Sequence, residues 1–213
     1  MSSPPLFSIS GVRLEIDGHT VLDGIDAEFA AHRIVVLAGP SGSGKSSLLR
    51  LCNRLERPTA GTVEFEGVDV ATLDVAALRR RVGMVFQRPT PFPGTVAENL
   101  RVADPALADD ACVELLASVG LDESFLDRDA LALSGGEAQR VCTARSLATR
   151  PEVVLMDEPT SALDEDHARG LEQLARALVD GGVSIVWVTH DRAQLDRIAD
   201  DVIRLDHGRV VEA

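Results

Sequence analysis

The sequence predicts an α/β fold whose core is a mixed or mostly parallel sheet. Short apolar runs rich in β-branched residues alternate with helical patterns in its second half, as parallel strands joined by helices require. A glycine-rich segment separates one such run from a helix, at residues 39–47. The first third contains strand patterns joined by turn signals, which predicts an N-terminal antiparallel β subdomain.

Strand and turn signals dominate the first 87 residues. Asp17-Gly18-His19 is a turn signal between two strand patterns, and Gly67 ends an alternating run of apolar and polar residues. Asp74 is placed to cap a short helix that continues through Arg81. In chain order we predict strands at 6–16, 21–29, 34–38, 62–66 and 82–86, and helices at 45–54 and 74–81.

Residues 88–133 have a different character. Pro89, Pro91 and Pro93 predict an irregular loop, and a helix is expected after Pro105 with Gly120 as its stop. We therefore predict one domain over 1–213. It divides into a β subdomain plus core (1–87 and 141–213) and a small helical subdomain (88–140). The remaining predicted elements are strands at 153–156, 183–188 and 202–205, and a helix at 165–179.

Composition limits the classes of function. The net charge is −13, which disfavours broad attraction to nucleic acid or anionic lipid, so we expect no nucleic-acid partner. The longest apolar runs are about five residues, too short to insert into a membrane. The first ten residues lack the basic and apolar parts of a secretion signal. Three widely spaced cysteines, Cys52, Cys112 and Cys142, are expected to be buried thiols in a reducing cytoplasm.

The only lysine of the chain, against twenty arginines, lies in the glycine-rich segment. This segment fits the phosphate-binding pattern G-x-x-x-x-G-K-[ST]. A Gly/Ser-rich turn before a helix is the alternative interpretation. The preceding apolar strand and the following helix favour a phosphate cradle, because glycines let backbone N–H groups turn inward at a helix N-terminus. The residues concerned are Gly39, Pro40, Ser41, Gly42, Ser43, Gly44, Lys45, Ser46 and Ser47.

Polar side chains follow two later strand patterns. Asp157 and Glu158 come directly after an apolar strand, so both are expected at the carboxyl edge of the sheet. Asp157 can hold Mg²⁺ alongside the Ser46 hydroxyl, and Glu158 can polarise an attacking water. An exposed acidic turn is the alternative. His190 follows another strand; alone it is more often a structural histidine, but at this edge it could orient the water or sense a γ-phosphate.

A second anion-binding pattern opens another helix. Leu133-Ser134-Gly135-Gly136 precedes a helical stretch, and a helix N-terminus with a serine and two glycines can bind phosphate. One nucleotide does not need two such sites from one chain. The simplest interpretation is that this second site serves a nucleotide bound to another subunit.

These motifs together resemble the ATPase subunit of an ABC transporter, over nearly the whole chain. Ala138 departs from the family signature, in which Gln or Lys is common at this position. A second departure is Ile16, which stands where the family usually has an aromatic that stacks on adenine. The matches are Walker A (39–47), the Q-loop (Gln87), the signature (133–140), Walker B (153–158), the D-loop (161–164) and the switch histidine (His190).

The resemblance implies a P-loop NTPase with a RecA-like core that binds and hydrolyses ATP with Mg²⁺. Two copies would pack head to tail, and membrane-spanning subunits would be their partners at the inner face of the cell membrane. In this scheme Glu158, His190 and Gln87 are catalytic, and Ser46, Gln87 and Asp157 hold the metal. Beyond the Walker A residues, the nucleotide would contact Ile16, Ser134, Gly135, Gly136, Gln139 and Asp164.

The transported substrate and its direction stay open at this point. Residues 86–93 resemble phosphate importers, while 161–165 and 187–191 resemble short iron- or metal-export ATPases, so phosphate and a metal ion are both retained. A solute-binding protein is expected only for an importer. The alternative function is a soluble ABC-type ATPase in DNA repair, translation or regulation. The short spacing of Gln87 and Ser134 disfavours the DNA-repair type, which carries a long insertion there.

Overall fold

The computed structural model of the protein describes residues 5–211; the predicted absence of a secretion signal rests partly on residues outside this range. An antiparallel sheet, with strand order β2-β1-β4-β5, is formed mainly by the first third of the chain. Phe7, Phe29 and Phe65 are fully buried in one cluster beneath it. Its strands are β1 (Phe7–Ile16), β2 (His19–Phe29), β4 (Ala60–Phe65) and β5 (Val68–Asp69).

The second sheet has six strands in the order β10-β9-β3-β8-β7-β6. Its first five strands in chain order are parallel, and β10 pairs antiparallel with β9 at one edge. Every residue of β3, β7 and β8 is buried, as expected for parallel strands covered on both faces. The strands are β3 (Ile34–Ala38), β6 (Val82–Val85), β7 (Val153–Asp157), β8 (Ser184–Thr189), β9 (Asp201–Asp206) and β10 (Arg209–Val211).

Helices cover the parallel sheet and form a group of their own. Helix α1 (Lys45–Cys52) packs with the antiparallel sheet on one face, while α6 (Glu165–Asp180) and α7 (Arg192–Ile198) pack on the other. Helix α2 (Val75–Arg81) begins at Asp74, whose side chain accepts a hydrogen bond from Ala77 N as the sequence predicts. The separate helical group, with its own apolar core, comprises α3 (Val96–Arg101), α4 (Asp109–Ser118) and α5 (Gly135–Leu147).

The predicted fold class is confirmed, and the differences concern short elements. Helix α3 is missing from the prediction because the prolines at 89–93 suggested a loop. Thr95 and Glu98 nevertheless form a capping box at its start. The predicted boundary at 140/141 falls inside α5, so this helix joins the helical group to the sheet. The short elements β5, β10 and α7 were also not predicted.

Cys52, Cys112 and Cys142 are buried and free, as predicted. Within residues 5–211, no helix combines the length and the apolar character that crossing a bilayer requires.

Candidate functional site

A tight glycine loop joins β3 to α1. The φ angles of Gly39 and Gly44 are +147° and +97°, where L side chains are strained. A Cβ atom on Gly39 would lie 2.0 Å from the carbonyl oxygen of Leu205, and one on Gly44 would lie 2.6 Å from Leu22 Cδ2. Both positions therefore require glycine, and the resulting backbone leads directly into the N-terminus of α1.

The lysine that follows this loop is held in place by the loop itself. Lys45 is only 5% exposed, and its Nζ donates to the carbonyl oxygens of Gly39 at 2.9 Å and Pro40 at 2.8 Å. Burial lowers the pKa of Lys45, while the nearby carboxylates of Glu158 and Asp157 act in the opposite direction. A compact ammonium group is thus positioned beside two carboxylates at the mouth of the loop.

Ser46 and Asp157 form a group of hard oxygen atoms. Ser46 Oγ donates to Asp157 Oδ1 at 2.7 Å, and the carboxylate, at the end of β7, is 2% exposed. Burial raises the pKa of Asp157, and the hydrogen bond from Ser46 opposes that shift. A buried carboxylate beside a hydroxyl is a donor set that suits Mg²⁺, because this cation prefers oxygen ligands. The residues present therefore fit the expected metal.

The side chains of Gln87 and His190 both contact Glu158, and all three residues follow neighbouring strands. Gln87 Nε2 donates to Glu158 Oε2 at 2.9 Å, and His190 Nδ1 lies 3.2 Å from Glu158 Oε1. Gln87 follows β6, Glu158 follows β7 and His190 follows β8, and these three strands are adjacent in the sheet. Their meeting is a direct consequence of strand order, since parallel strands end at one edge.

These groups line one cleft of about 540 Å³. Val21, in β2, also lines it; no sequence pattern pointed to this residue, because only the packing of the β1–β2 hairpin on the loop brings it there. Ile16 is 40% exposed and does not line this cleft. Ser43 is buried behind the loop, and its Oγ has no hydrogen-bond partner within residues 5–211. The lining is Val21, Pro40, Ser41, Gly42, Gly44, Lys45, Ser46, Ser47, Gln87, Glu158 and His190.

The second predicted anion site lies outside this cleft. Ser134 caps α5, accepting a hydrogen bond from Glu137 N, while Glu137 Oε2 accepts from Ser134 N at 2.8 Å. Hydrogen bonds from Ser134 and Arg128 lower the pKa of Glu137 to about 2. Ser134 and Gly135 are exposed, and Gly136 is half-buried. The helix start is thus capped by its own side chains and exposed at the surface.

Two further predicted nucleotide contacts have different surroundings. Gln139 is 1% exposed, and its Nε2 donates to the carbonyl oxygen of Phe86 at 3.0 Å, just ahead of Gln87. Its side chain therefore ties α5 to the segment that carries Gln87, and it is not presented at the surface. Asp164 is exposed and caps α6, accepting from His167 N at 2.9 Å.

A glycine loop with a buried lysine, set beside two carboxylates at a parallel strand end, defines a nucleotide-binding P-loop domain. Comparisons with known proteins agree. The model of the ABC transporter family matches residues 22–161. Protein STAR1 of Oryza sativa subsp. japonica is 45% identical over 94% of this chain, which spans 59% of its length. The phosphate import ATP-binding protein PstB 2 of Lactobacillus acidophilus is 39% identical, over 98% of this chain and 89% of the relative.

A solved structure of an ATP-binding cassette has the same fold as this chain. The dimeric post-hydrolysis state of the ATP-binding cassette MJ0796, bound to ADP and Pi, superposes with a TM-score of 0.86. Its sequence is 30% identical, and 97% of each chain is covered. The protein belongs to the ABC transporter family and is an ATP-binding, ATP-hydrolysing domain of that family.

The position of Ile16 predicts weak discrimination between nucleotide bases. Stacking of a base on an aromatic side chain contributes about 1–3 kcal/mol, and Ile16 cannot supply it. We expect GTP to displace a fluorescent ATP analogue at concentrations close to those of ATP. Ile16→Tyr should strengthen ATP binding by roughly 5- to 150-fold. Glu15→Tyr is the control, since neighbouring strand residues face opposite sides. A strong ATP preference in the unmodified chain would contradict this expectation.

The buried carboxylate of Asp157 predicts a conflict between stability and function. Its pKa is raised in the folded state, so the ionised form costs stability above that pKa, and the cost disappears as the pH falls. Asp157→Asn should therefore melt at a higher temperature than the unmodified chain at pH 8, with a difference that shrinks as the pH is lowered toward the ordinary pKa of an aspartate, when measured with EDTA and no nucleotide. The same variant should lose Mg²⁺-dependent hydrolysis by about a hundredfold or more.

A second aspartate provides the control for this measurement. Asp122 is an exposed cap whose pKa is lowered by hydrogen bonds from Ser124. Because that shift has the opposite sign, Asp122→Asn should bring no gain in stability at pH 8. An equal gain from both substitutions would show that burial of Asp157 is not its cause.

Proposed function

We propose that the protein is the ATP-driven subunit of a membrane transporter and that it works as a head-to-tail homodimer. Each ATP lies between residues 39–47 of one copy and Ser134–Gly136 of the other. One observation carries this proposal: the capped start of α5 is exposed and outside the chain's own cleft. The ATP-binding cassette MJ0796 is dimeric with ADP and Pi bound, which supports a nucleotide-bound dimer.

The chemistry of the proposed site is positioning and charge stabilisation. Lys45 exchanges its two carbonyl partners for phosphate oxygens, and the loop N–H groups bind the same phosphates. Glu158 takes the proton of the attacking water, and His190 holds that water and the γ-phosphate in line. Gln87 orients Glu158 through their present hydrogen bond.

A magnesium ion is the expected companion of the nucleotide. Ser46, Asp157 and Gln87 are the residues that would hold it. When bound, Mg²⁺ would neutralise charge that develops on the phosphates. The buried, oxygen-rich surroundings of Asp157 support this assignment.

Coupling to transport would pass through Gln87 and the proline-rich loop after it. Closure of the dimer on ATP moves Gln87, and the exposed side chains of Phe86, just before it, and Phe92, in the loop after it, move with it toward a membrane-spanning partner. Such a contact would hold the subunit at the inner face of the cell membrane. Phosphate is the substrate class supported by the name of PstB 2, with a metal ion as the alternative, and an importer would also use a solute-binding protein.

Mixing two inactive variants tests the shared site. Lys45→Ala damages only the loop, and Ser134→Arg damages only the capped helix start. Each variant alone should hydrolyse no ATP. A mixed head-to-tail dimer contains one site with both defects and one intact site, so mixing should restore about a quarter of the unmodified rate. Full activity of Ser134→Arg alone, or no recovery on mixing, would overturn the proposal.

A further inference from the structure

A buried hydrogen-bond network lies behind the catalytic strand ends, and its centre is Gln194. This residue is 3% exposed and belongs to α7. Its Oε1 accepts from the indole Nε1 of Trp187 at 3.1 Å, and its Nε2 donates to Glu172 Oε1 at 2.9 Å. Nε2 also donates to Thr160 Oγ1 at 3.2 Å. The network therefore joins α7, β8, α6 and the segment after β7.

Chemistry alone fixes the orientation of the Gln194 amide. The indole N–H of Trp187 can only donate, so it must face the amide oxygen. The Glu172 carboxylate accepts, so it must face the amide nitrogen. Bidentate pairing with Arg197, at 2.7 and 3.0 Å, in turn fixes Glu172. Gln194 therefore has one orientation, and Thr160 is held by it.

The two segments that meet at Gln194 carry the two side chains assigned to the attacking water. Thr160 lies two residues after Glu158, and Gln194 lies four residues after His190. Asp191 makes the second segment rigid, because its side chain accepts hydrogen bonds from the backbone N–H groups of Ala193 and Gln194. A displacement at Gln194 would thus change the separation of Glu158 from His190.

Glu158 needs such support because its backbone is strained. Its φ is +43°, a conformation that is unfavourable for a non-glycine residue and persists only where neighbouring contacts enforce it. Its N–H donates to the Val188 carbonyl at 3.2 Å, and its own carbonyl accepts from Ser161 N at 3.1 Å. The contact of Thr160 with Gln194 is the side-chain anchor of the turn that follows.

We propose that Gln194 is a positioning residue for ATP hydrolysis: it holds the segments that carry Glu158 and His190 at a fixed separation through Thr160 and Trp187. This inference rests on the roles given to Glu158 and His190 in the proposed function. Trp187 is the only tryptophan in the sequence and is fully buried, so its emission reports on this network alone.

The test measures steady-state hydrolysis and tryptophan fluorescence on the full chain. Gln194→Leu should lower kcat by about ten- to hundredfold, as small misplacements of reacting groups do, with the KM for ATP changed by less than about twofold. The emission of Trp187 should move to shorter wavelength as its hydrogen bond is lost. Thr160→Val, which removes one hydroxyl, should lower kcat in the same way, and Thr160→Ser should restore it.

Non-additivity provides a second readout. Since Gln194 and Thr160 act through one contact, the double variant Gln194→Leu/Thr160→Val should have a kcat close to that of Gln194→Leu alone. Independent losses that add fully would overturn the proposal. If Gln194→Leu does not fold, Thr160→Val and Thr160→Ser still decide the matter through the same kcat and KM measurements.

Glu172→Gln is the matched control. It breaks the ion pair with Arg197 at the far side of the network but keeps an oxygen that can accept from Gln194. It should lower the melting temperature while kcat stays near that of the unmodified chain. Gln194→Leu with unchanged kcat and shifted Trp187 emission would show a purely structural role. Glu158→Gln, measured in parallel, separates the two hypotheses: activity of Glu158→Gln would overturn the role of Glu158 in the proposed function, whereas an inactive Glu158→Gln together with an unchanged kcat in Gln194→Leu would overturn this inference alone.

Discussion

Glu158→Gln is expected to abolish steady-state ATP hydrolysis and to leave the protein as a dimer that retains ATP. The amide keeps the size of the carboxylate and can still pair with Gln87 and His190. In the unmodified chain these two side chains lie 2.9 and 3.2 Å from the Glu158 carboxylate. It cannot take a proton from water, and the loss of a general base lowers rates by about 10²–10⁴-fold. Nucleotide binding and closure remain, because Lys45 and the glycine loop are unchanged.

Two measurements check this expectation. Release of phosphate should fall to background, and light scattering after size exclusion should show a dimer with ATP and Mg²⁺ but a monomer without nucleotide. Glu152→Gln is the control, since Glu152 is exposed, pairs with Arg81 and lies at the opposite end of β7. This variant should hydrolyse ATP normally. Hydrolysis by Glu158→Gln at the unmodified rate would show that another group activates the water.

Most of the site was predictable from the sequence because its parts sit at strand ends. An apolar run that stops at a polar residue locates that residue at the carboxyl edge of a parallel sheet. Asp157, Glu158 and His190 follow this rule. Gly39 and Gly44 were also predictable, because they are fixed positions of the glycine-rich motif. The structure gives the reason: their positive φ angles and close contacts exclude any other residue. All of these positions were predictable because their structure depends on the residues next to them in the sequence.

The remainder depends on contacts between distant segments, which have no local signal. Gln194 and Thr160 are 34 residues apart and meet only because β7 and β8 are neighbours. Gln139 was predicted to contact nucleotide because it lies in the signature, yet its amide is buried against the Phe86 carbonyl. Val21 enters the cleft only through packing of the β1–β2 hairpin on the loop. Helix α3 is different: its capping box is local, and the neighbouring prolines obscured it.

Lys45→Ala should remove most of the affinity for ATP. Lys45 is 5% exposed, and its ammonium group donates hydrogen bonds to the Gly39 and Pro40 carbonyls. Without it, those two oxygens would face the phosphate oxygens with no positive charge between them. Charged hydrogen bonds are worth about 1.5–3 kcal/mol each, so loss of one weakens binding roughly 10- to 150-fold and loss of two by up to about 10⁴-fold. Titration with a fluorescent ATP analogue measures the dissociation constant directly.

The contributions of the charge and of the shape of the Lys45 side chain to ATP binding can be measured separately. Arg57→Ala removes one exposed positive charge outside the cleft and should bind ATP normally. Lys45→Arg keeps the charge, but a planar guanidinium does not fit a site shaped for a compact ammonium group, so binding should stay weak.

Because Lys45 is the only lysine, a lysine-selective acylating reagent modifies one side chain, and saturating ATP should protect it. Undiminished affinity in Lys45→Ala, or labelling that ATP does not slow, would mean that the phosphates bind elsewhere.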